Sequence, residues 1–453
     1  MEFQGKNILA VGAGISGFAA AKVAKKFGAK VTLSDTKDED KIEGDLESLR
    51  QAGINLKFGP QGESLLEDVD ALILSPAVPV KIPLVEAAYK KNISVISEVE
   101  MAYEFAKSPI AAVTGTNGKT TTTTLLGKLL EARYDKVGVG GNIGVPLVDE
   151  VLRVGEGGAI AAEISSYQME ATNHFRPHVT AVLNVTPDHL KRHGTMEVYQ
   201  AMKEKLFAEE TEEDFVVLNY DDEKVRSMSE RTKAQVYYFS RRETFDKGAF
   251  LQNNTLSIAD GGKVYELVSV EELGIKGAHN VENALAAAMS AYLMGVSIEK
   301  MIPVLKDFKG VEHRIEFARE IEGVPYYNDS KATNTDSAIK ALETFDGHII
   351  LIAGGDDKGT DLTEFMTLVK AKVDELILVG DAAKRFEEVA LKIGTPPKHI
   401  HLVGYDMKKA VKTAKELAKP PQIVLLSPAC ASFDMYKGFE ARGKDFKEIV
   451  NGL

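Results

Sequence analysis

The stretch Thr114-Gly115-Thr116-Asn117-Gly118-Lys119-Thr120 follows the apolar run 110–113 and leads into a segment rich in Thr, Leu and Lys. A glycine-rich turn between strand and helix that closes on Gly-Lys-Thr reads as a phosphate-binding loop. Its backbone N–H groups would cradle β- and γ-phosphates, the Lys119 ammonium would offset their charge, and the Thr120 hydroxyl would ligate Mg²⁺. The spacing departs from the usual pattern, because Val113 stands five residues before Gly118 and the first glycine is displaced to Gly115. A polar turn that only caps a helix is the alternative, and it leaves Gly-Lys-Thr at this junction unexplained. No Asn-Lys-x-Asp base-reading segment occurs in the chain, so the loop is read as taking ATP rather than GTP.

Outward from this loop, strand and helix patterns alternate in both directions. Toward the N-terminus, strand 7–11 precedes Gly12-Ala13-Gly14-Ile15-Ser16-Gly17, a helix runs to Phe27, and strand 30–34 is closed by Asp35. This matches the dinucleotide fingerprint, in which glycines let backbone approach phosphate and an acidic residue bonds ribose. NAD or FAD, another nucleotide, or a tight turn without ligand all remain open on these residues alone. Strands at 71–74 and 94–96 continue the unit, and the boundary is placed near 96. Beyond the phosphate loop come 138–144, 159–164 and 179–185, then a β-rich patch at 232–268 read as small and antiparallel, then an Ala- and Leu-rich helix at 279–293. The pattern resets around Phe308-Lys309-Gly310. Further strands at 349–353, 375–379, 399–403 and 423–426 alternate with amphipathic helices. The chain is therefore expected to be an α/β protein of three domains. These are a Rossmann-like domain at 1–96, a central phosphate-loop ATPase-like domain at 97–310 with a parallel sheet and a small antiparallel patch, and a Rossmann-like domain at 311–453.

The 453 residues are enough for several cores, and 44% hydrophobic with 27% charged is a globular composition. A net charge of −12 argues against nucleic-acid binding, which needs a phosphate-neutralising surface. No apolar run approaches the ~20 residues that cross a bilayer. Cys430 is the single cysteine and cannot form an internal disulfide; with no basic-then-apolar opening segment, a cytoplasmic location is expected.

Candidate chemistry clusters at the ends of strand-like runs, where open α/β sheets bind ligands. Glu163 ends 159–162 and fits the acidic metal ligand of a triphosphate site. Thr186-Pro187-Asp188-His189 adds an imidazole and a carboxylate at another strand end; a lone histidine is usually a surface or core residue, but this one is better placed than most. Three polar runs follow later strands: Asn328-Asp329-Ser330-Lys331-Ala332-Thr333-Asn334, Gly354-Gly355-Asp356-Asp357-Lys358-Gly359 and Ser427-Pro428-Ala429-Cys430-Ala431-Ser432. A solvated turn is the bland reading of the first two.

The phosphate loop, Gly141-Asn142-Ile143-Gly144, Glu163-Ile164-Ser165-Ser166, Asn184 to His189, His279-Asn280-Val281-Glu282-Asn283, His313-Arg314, Asn328 to Lys331 and Ser427 to Ser432 occur together in order. In this the chain resembles the Mur ligases over essentially its whole length. The resemblance implies a monomeric, cytoplasmic, ATP- and Mg²⁺-dependent ligase that adds D-glutamate to UDP-N-acetylmuramoyl-L-alanine in peptidoglycan synthesis through an acyl phosphate. It implies that the first glycine set holds uridine diphosphate rather than NAD, through Gly14, Ser16, Asp35 and Thr36. Ser75 is implied near the sugar nucleotide, with Ala77 standing where the family has glycine, and Asn142 is implied as a further substrate contact. ATP would meet Gly115, Thr116, Asn117, Gly118, Lys119, Thr120 and Thr121, with Asn280, Asn283, Arg314 and Asp329 around adenosine. One Mg²⁺ would sit on Thr120 and Glu163. A second would join His189 to Lys203 as its carbamate, placed by the family pattern Tyr-x-x-x-Lys after Tyr199; Lys205 is the competitor, and a solvated helix face the bland reading of both. D-Glutamate would meet Thr333, Lys358, Ser432, Phe433 and Phe439, with Lys331 facing the phosphate or the incoming carboxylate. Lys119, His189, Lys203 and Lys331 are thus the implied catalytic groups.

Two other classes explain less. A nicotinamide oxidoreductase leaves Gly118-Lys119-Thr120 without a role, and a nucleotide switch would bind ATP without substrate-dependent turnover. Among ligases, folylpolyglutamate synthase lacks a nucleotide-binding domain ahead of the phosphate loop, and the diaminopimelate- or lysine-adding Mur ligases carry an Asp-Asn-Pro-Arg segment absent here.

Overall fold

The computed structural model describes residues 3–42, 44–275, 277–357 and 359–453. The chain divides into two compact units, Met1–Phe308 and Lys309–Leu453.

The first unit contains two sheets. Strands β1 (Asn7–Val11), β2 (Lys30–Asp35), β3 (Asn55–Phe58), β4 (Ala71–Leu74) and β5 (Ser94–Ser97) form a parallel sheet in the order β3-β2-β1-β4-β5. Ala71, Leu72, Ile73 and Leu74 are all buried, as expected of a central parallel strand covered on both faces. The second sheet has nine strands: β6 (Ile110–Thr114), β7 (Val137–Gly141), β8 (Ala159–Glu163), β9 (Val179–Val182), β10 (Phe215–Asn219), β11 (Gln235–Ser240), β12 (Gly248–Gln252), β13 (Thr255–Asp260) and β14 (Lys263–Ser269). Its order is β14-β13-β12-β11-β10-β9-β6-β8-β7. Through β12 the pairing is parallel, and only β12, β13 and β14 pair antiparallel. The antiparallel patch expected over 232–268 is thus smaller than that span, because β11 continues the parallel sheet beside β10.

One apolar cluster runs from Phe3, Ile8 and Ala10 through Val99 and Met101 to Leu147, Val151 and Leu206 and joins the two sheets. The helix Glu98–Phe105 forms the joint. Glu98 accepts a hydrogen bond from the Val148 N–H at 2.7 Å, and Glu100 accepts from the backbone N–H of Asn173 and His174. Among the described residues no helix is long and apolar enough to cross a membrane.

The second unit carries β15 (Glu316–Ile321), β16 (Val324–Asn328), β17 (Ile349–Gly354), β18 (Val373–Val379), β19 (Ile400–Gly404) and β20 (Ile423–Leu426), in the order β15-β16-β20-β17-β18-β19. All neighbours are parallel except the hairpin β15–β16. The three adjacent strands β16, β20 and β17 therefore deliver Asn328, Leu426 and Gly354 to the same sheet edge, and the three polar runs noted above begin there.

Candidate functional site

In the first unit the site is built at the carboxyl ends of β9, β6, β8 and β7. Register aligns Val113 with Glu163, Thr114 with Val182 and Gly141 with Glu163, so the phosphate loop has Glu163 on one side and the 184–189 segment on the other. Gly118 sits at the N-cap of the helix Lys119–Glu131 with φ +82, and a Cβ there would lie 2.3 Å from Asn283 Oδ1. Only glycine meets both demands. Asn184 fixes the loop: its Oδ1 accepts from the Asn117 N–H at 2.8 Å, and its Nδ2 donates to Asn117 O at 3.2 Å. Lys119 Nζ is folded over the loop, donating to the carbonyls of Gly115 and Thr116 at 2.9 Å each. Thr120 is buried at the first helical turn, and Thr121 follows it with partial exposure. Asn283 accepts from Thr122 Oγ1 and donates to Asn280 Oδ1, which ties the helix Ala278–Leu293 to the loop helix.

Glu163 is 2% exposed. Its Oε1 accepts from Asn142 Nδ2 at 2.9 Å, while Oε2 is buried without a hydrogen-bond partner. A buried carboxylate oxygen left unsatisfied is costly unless something positive meets it, so this atom fits a cation ligand. Among the described residues no three His, Cys, Asp or Glu side chains converge as a metal cage. A hard cation here would complete its shell with hydroxyl, phosphate and water oxygens, as Mg²⁺ does.

On the other flank His189 adopts φ +55, with Nδ1 3.0 Å from the Tyr167 hydroxyl and Nε2 3.5 Å from Asp188 Oδ2. Lys203 lies in the last turn of the helix Met196–Glu204, and its side chain is buried. Tyr199, one helical turn earlier, presents its ring 4.4 Å from Lys203 Nζ and its hydroxyl 3.1 Å from Thr116 Oγ1. Lys203 carries no hydrogen bond or ion pair among the described residues. Burial, and secondarily the Lys119 charge, hold its pKa well below the usual lysine value, with Asp188 opposing. Lys205, by contrast, donates to Met169 O at 2.9 Å and is pinned away as a backbone tether.

The first glycine turn forms a separate group at the carboxyl ends of β1, β2 and β4. Gly12 has φ +98, and a Cβ on it would strike Ser75 Cβ at 2.6 Å and Val78 Cγ2 at 2.8 Å. The turn and the 75–78 loop are therefore packed backbone to side chain. Asp35 accepts from the N–H groups of Ala13 at 2.8 Å and Lys37 at 2.9 Å, so its carboxylate shapes the turn. Gly14 and Thr36 are exposed, Ser16 is half-buried and Ser75 is buried.

The remaining expected residues lie in the second unit. Asp329 is buried; it accepts from Ser427 Oγ at 2.7 Å, and burial pushes its carboxyl up to about 7 against the pull of Ser427 and Arg314. Arg314 and Lys331 belong to one connected loop pair, because the Lys331 N–H donates to His313 O and the Thr333 N–H to Lys331 O. Ser432 is buried with an unpartnered Oγ, Phe433 is 67% exposed, and Phe439 opens the helix Phe439–Asn451 beside His313. Lys358 lies outside the described residues. Arg442, absent from the sequence reading, is fully buried and donates to the carbonyls of Ser330, Cys430 and Ala431 and to Ser330 Oγ, clamping two of the polar runs together. Tyr167, Glu170, Arg192 and His193 were likewise not singled out. Lys203 is reached through the family pattern Tyr-x-x-x-Lys, and in the fold that spacing sets Tyr199 and Lys203 one helical turn apart.

A parallel sheet with a phosphate loop, an orphaned buried carboxylate oxygen and a depressed lysine beside them defines a nucleotide-triphosphate enzyme of the phosphate-loop class. Family models match nearly end to end: the Mur ligase MurD-like N-terminal domain over residues 6–97, the Mur ligase middle domain over 113–291, and the Mur ligase glutamate ligase domain over 313–430. The chain belongs to the Mur ligase family. It is 45% identical over 453 residues to the UDP-N-acetylmuramoylalanine--D-glutamate ligase of Thermoanaerobacter pseudethanolicus, and 43% identical over 455 residues to that of Clostridioides difficile, covering all of both chains in each case. Among solved structures it resembles UDP-N-acetylmuramate-alanine ligase MurC from Thermotoga maritima, with a TM-score of 0.55 at 20% identity and 99% of each chain covered. It also resembles the MurF ligase of Thermotoga maritima in complex with ADP, with a TM-score of 0.55 at 18% identity, over 94% of this chain and 97% of that one. These likenesses carry the fold.

Proposed function

We propose that this chain is the ATP-dependent ligase that joins D-glutamate to the L-alanyl carboxylate of UDP-N-acetylmuramoyl-L-alanine, in the cytoplasm and as a monomer. The observation that carries the reading is the phosphate loop flanked at one sheet edge by the unsatisfied Glu163 oxygen and by the buried Lys203, which makes no ion pair. Full-length identity of 45% to a ligase of that name supports the choice of substrates.

The reaction runs in two displacements. A carboxylate oxygen of the precursor attacks the γ-phosphorus of ATP, and the bond to the bridging oxygen breaks to release ADP. The D-glutamate nitrogen then attacks the acyl carbon and loses a proton, and the C–O bond to phosphate breaks to leave the amide. Charge repulsion between a carboxylate and a triphosphate is the main obstacle. The loop N–H groups and Lys119, swung from its resting contacts on Gly115 and Thr116, would stabilise the transferring phosphoryl group. Thr120 with Glu163 would hold one Mg²⁺, and His189 with Lys203 as its carbamate a second; the ions would supply neutralisation at the phosphoryl and acyl oxygens. Lys203 suits that modification because an amine held neutral and unpaired can react with CO₂, and the resulting anion would offset the charge of the site.

Domains at 1–96, 97–310 and 311–453 would divide the work. The first would take uridine diphosphate on Gly14, Ser16, Asp35, Thr36 and Ser75, with Asn142 as a further contact. The second would take triphosphate, with Asn280 and Asn283 as adenosine contacts; Arg314 and Asp329, the other expected adenosine contacts, belong to the third. The third would take D-glutamate on Thr333, Lys358, Ser432, Phe433 and Phe439, with Lys331 toward the phosphate. Calorimetric titration tests this division: UDP-N-acetylmuramoyl-L-alanine and ATP with Mg²⁺ each bind and NAD does not. Binding of NAD in place of the uridine nucleotide would return the first domain to oxidoreductase chemistry.

A further inference from the structure

Arg192 occupies a position that the chemistry above does not use. It lies in the short helix Leu190–His193, three residues after His189, and its side chain is 17% exposed. The guanidinium forks onto Glu170, with Nε 3.0 Å from Oε1 and Nη2 2.8 Å from Oε2. The remaining donors leave the central sheet altogether. Nη1 reaches Ala77 O at 3.3 Å, and Nη2 reaches Pro76 O at 3.3 Å and Val78 O at 2.9 Å, three successive carbonyls of the loop that follows β4. The same guanidinium stacks 4.9 Å over the Tyr167 ring, whose hydroxyl contacts His189 Nδ1.

We infer that Arg192 is a positioning residue that straps the 75–78 loop of the first sheet to His189, so that seating of the uridine nucleotide fixes the imidazole for the reaction. This rests on the function proposed above. A planar fork suits the task because one group can satisfy a carboxylate and several carbonyls in fixed directions, which an ammonium cannot. The 75–78 loop is itself rigidly tied to the glycine turn, since Ser75 and Val78 fill the space a Cβ on Gly12 would need. Glycine turn, 75–78 loop, Arg192, Tyr167 and His189 form one chain of direct contacts. Glu170 anchors the strap and also lies 3.7 Å from His193 Nδ1.

Hydrogen exchange on the full chain reads the coupling without requiring turnover. In the wild type, UDP-N-acetylmuramoyl-L-alanine slows amide exchange in both 75–78 and 189–193. In R192M it protects 75–78 alone, and R192K behaves like R192M because the ammonium cannot make the fork. Steady-state kinetics then show kcat reduced on the order of 10²-fold, the cost of a misplaced catalytic group, with the KM for ATP unchanged. Equal protection of 189–193 in wild type and variants, or a kcat within about threefold of wild type, overturns the strap. If R192M does not fold, R192K and E170Q carry the same comparison. Failure of the wild type to bind the uridine nucleotide at all would instead count against the proposed function.

Discussion

Lys203 Nζ rests 4.4 Å from the centre of the Tyr199 ring, and the Tyr199 hydroxyl in turn lies 3.1 Å from Thr116 Oγ1 in the phosphate loop. One tyrosine thus sets both the wall of the lysine pocket and the loop that would hold triphosphate. The lysine is buried without an ion pair, and Asp188 offsets its burial only in part, which is unfavourable for stability and therefore points to a function.

A stability signature follows from that burial. The folded-state pKa of Lys203 is depressed, so between it and the ordinary lysine value the unfolded chain binds more protons, and stability rises with pH through that window. Lys203→Met removes the effect: the variant melts higher than wild type at neutral pH, with a flatter pH dependence, and loses turnover. These melts are run in CO₂-free buffer, where the amine is unmodified; adding ¹³C-labelled bicarbonate then gives a carbamate resonance in the wild type that is missing from Lys203→Met. A variant that melts lower at neutral pH contradicts the account of an uncompensated lysine.

Lys119→Ala removes an ammonium that donates to the Gly115 and Thr116 carbonyls of its own loop. Turnover falls by about 10²–10³, or ~2.7–4 kcal/mol of transition-state stabilisation, by analogy with loss of one oxyanion donor. Stopped-time phosphate assays measure it, and a loss below about tenfold removes the phosphate-loop assignment.

Gly118→Ala strikes Asn283 Oδ1 and forces an L-residue to φ +82. The backbone term alone costs about 1–2 kcal/mol, and the displaced Asn283 also loses its contacts to Thr122 and Asn280. A lowered melting temperature together with weakened ATP binding is expected; unchanged ATP affinity would show that the tight N-cap is not part of the nucleotide site.

Asp329 titrates in the opposite sense from Lys203. Its folded pKa of about 7 lies above the ordinary aspartate value, so the folded state holds the extra proton and stability falls as pH rises from about 4 to about 7. The slope is at most about 1.4 kcal/mol per pH unit. Asp329→Asn is therefore stabilising at pH 8 relative to wild type and less so at pH 5, read by thermal melts. Equal shifts at the two pH values contradict a buried, reluctantly ionised carboxyl.

Much of this arrangement is legible in the residues because glycines, buried strand runs and strand-end polar segments are local signals. The runs at 71–74 and 423–426 coincide with β4 and β20, since fully buried parallel strands read as uninterrupted apolar blocks. β3, Asn-Leu-Lys-Phe, and β15, Glu-Phe-Ala-Arg-Glu-Ile, escape such a reading because edge strands alternate polar and apolar residues over short spans. The parallel pairing of β11 is also invisible locally, being decided by its neighbour β10, which lies beyond a helical connection. In the site, His189 is marked by its place at a strand end beside Asp188, and Lys203 by the family pattern Tyr-x-x-x-Lys. Arg192 and Arg442 act by reaching carbonyls elsewhere in the chain, and a carbonyl leaves no mark on residue type; Glu170 acts by accepting from Arg192, a pairing equally invisible along the sequence. Asp35 is legible as the carboxylate of a nucleotide fingerprint, but the backbone N–H groups of Ala13 and Lys37 that its two oxygens accept from are not.

The most direct test is phosphate release from ATP and Mg²⁺ with UDP-N-acetylmuramoyl-L-alanine, comparing D-glutamate with L-glutamate, L-alanine, L-lysine and diaminopimelate as acceptor. Release that requires both the uridine precursor and D-glutamate is the predicted result. Turnover supported by another amino acid, or by none, contradicts the proposed ligase.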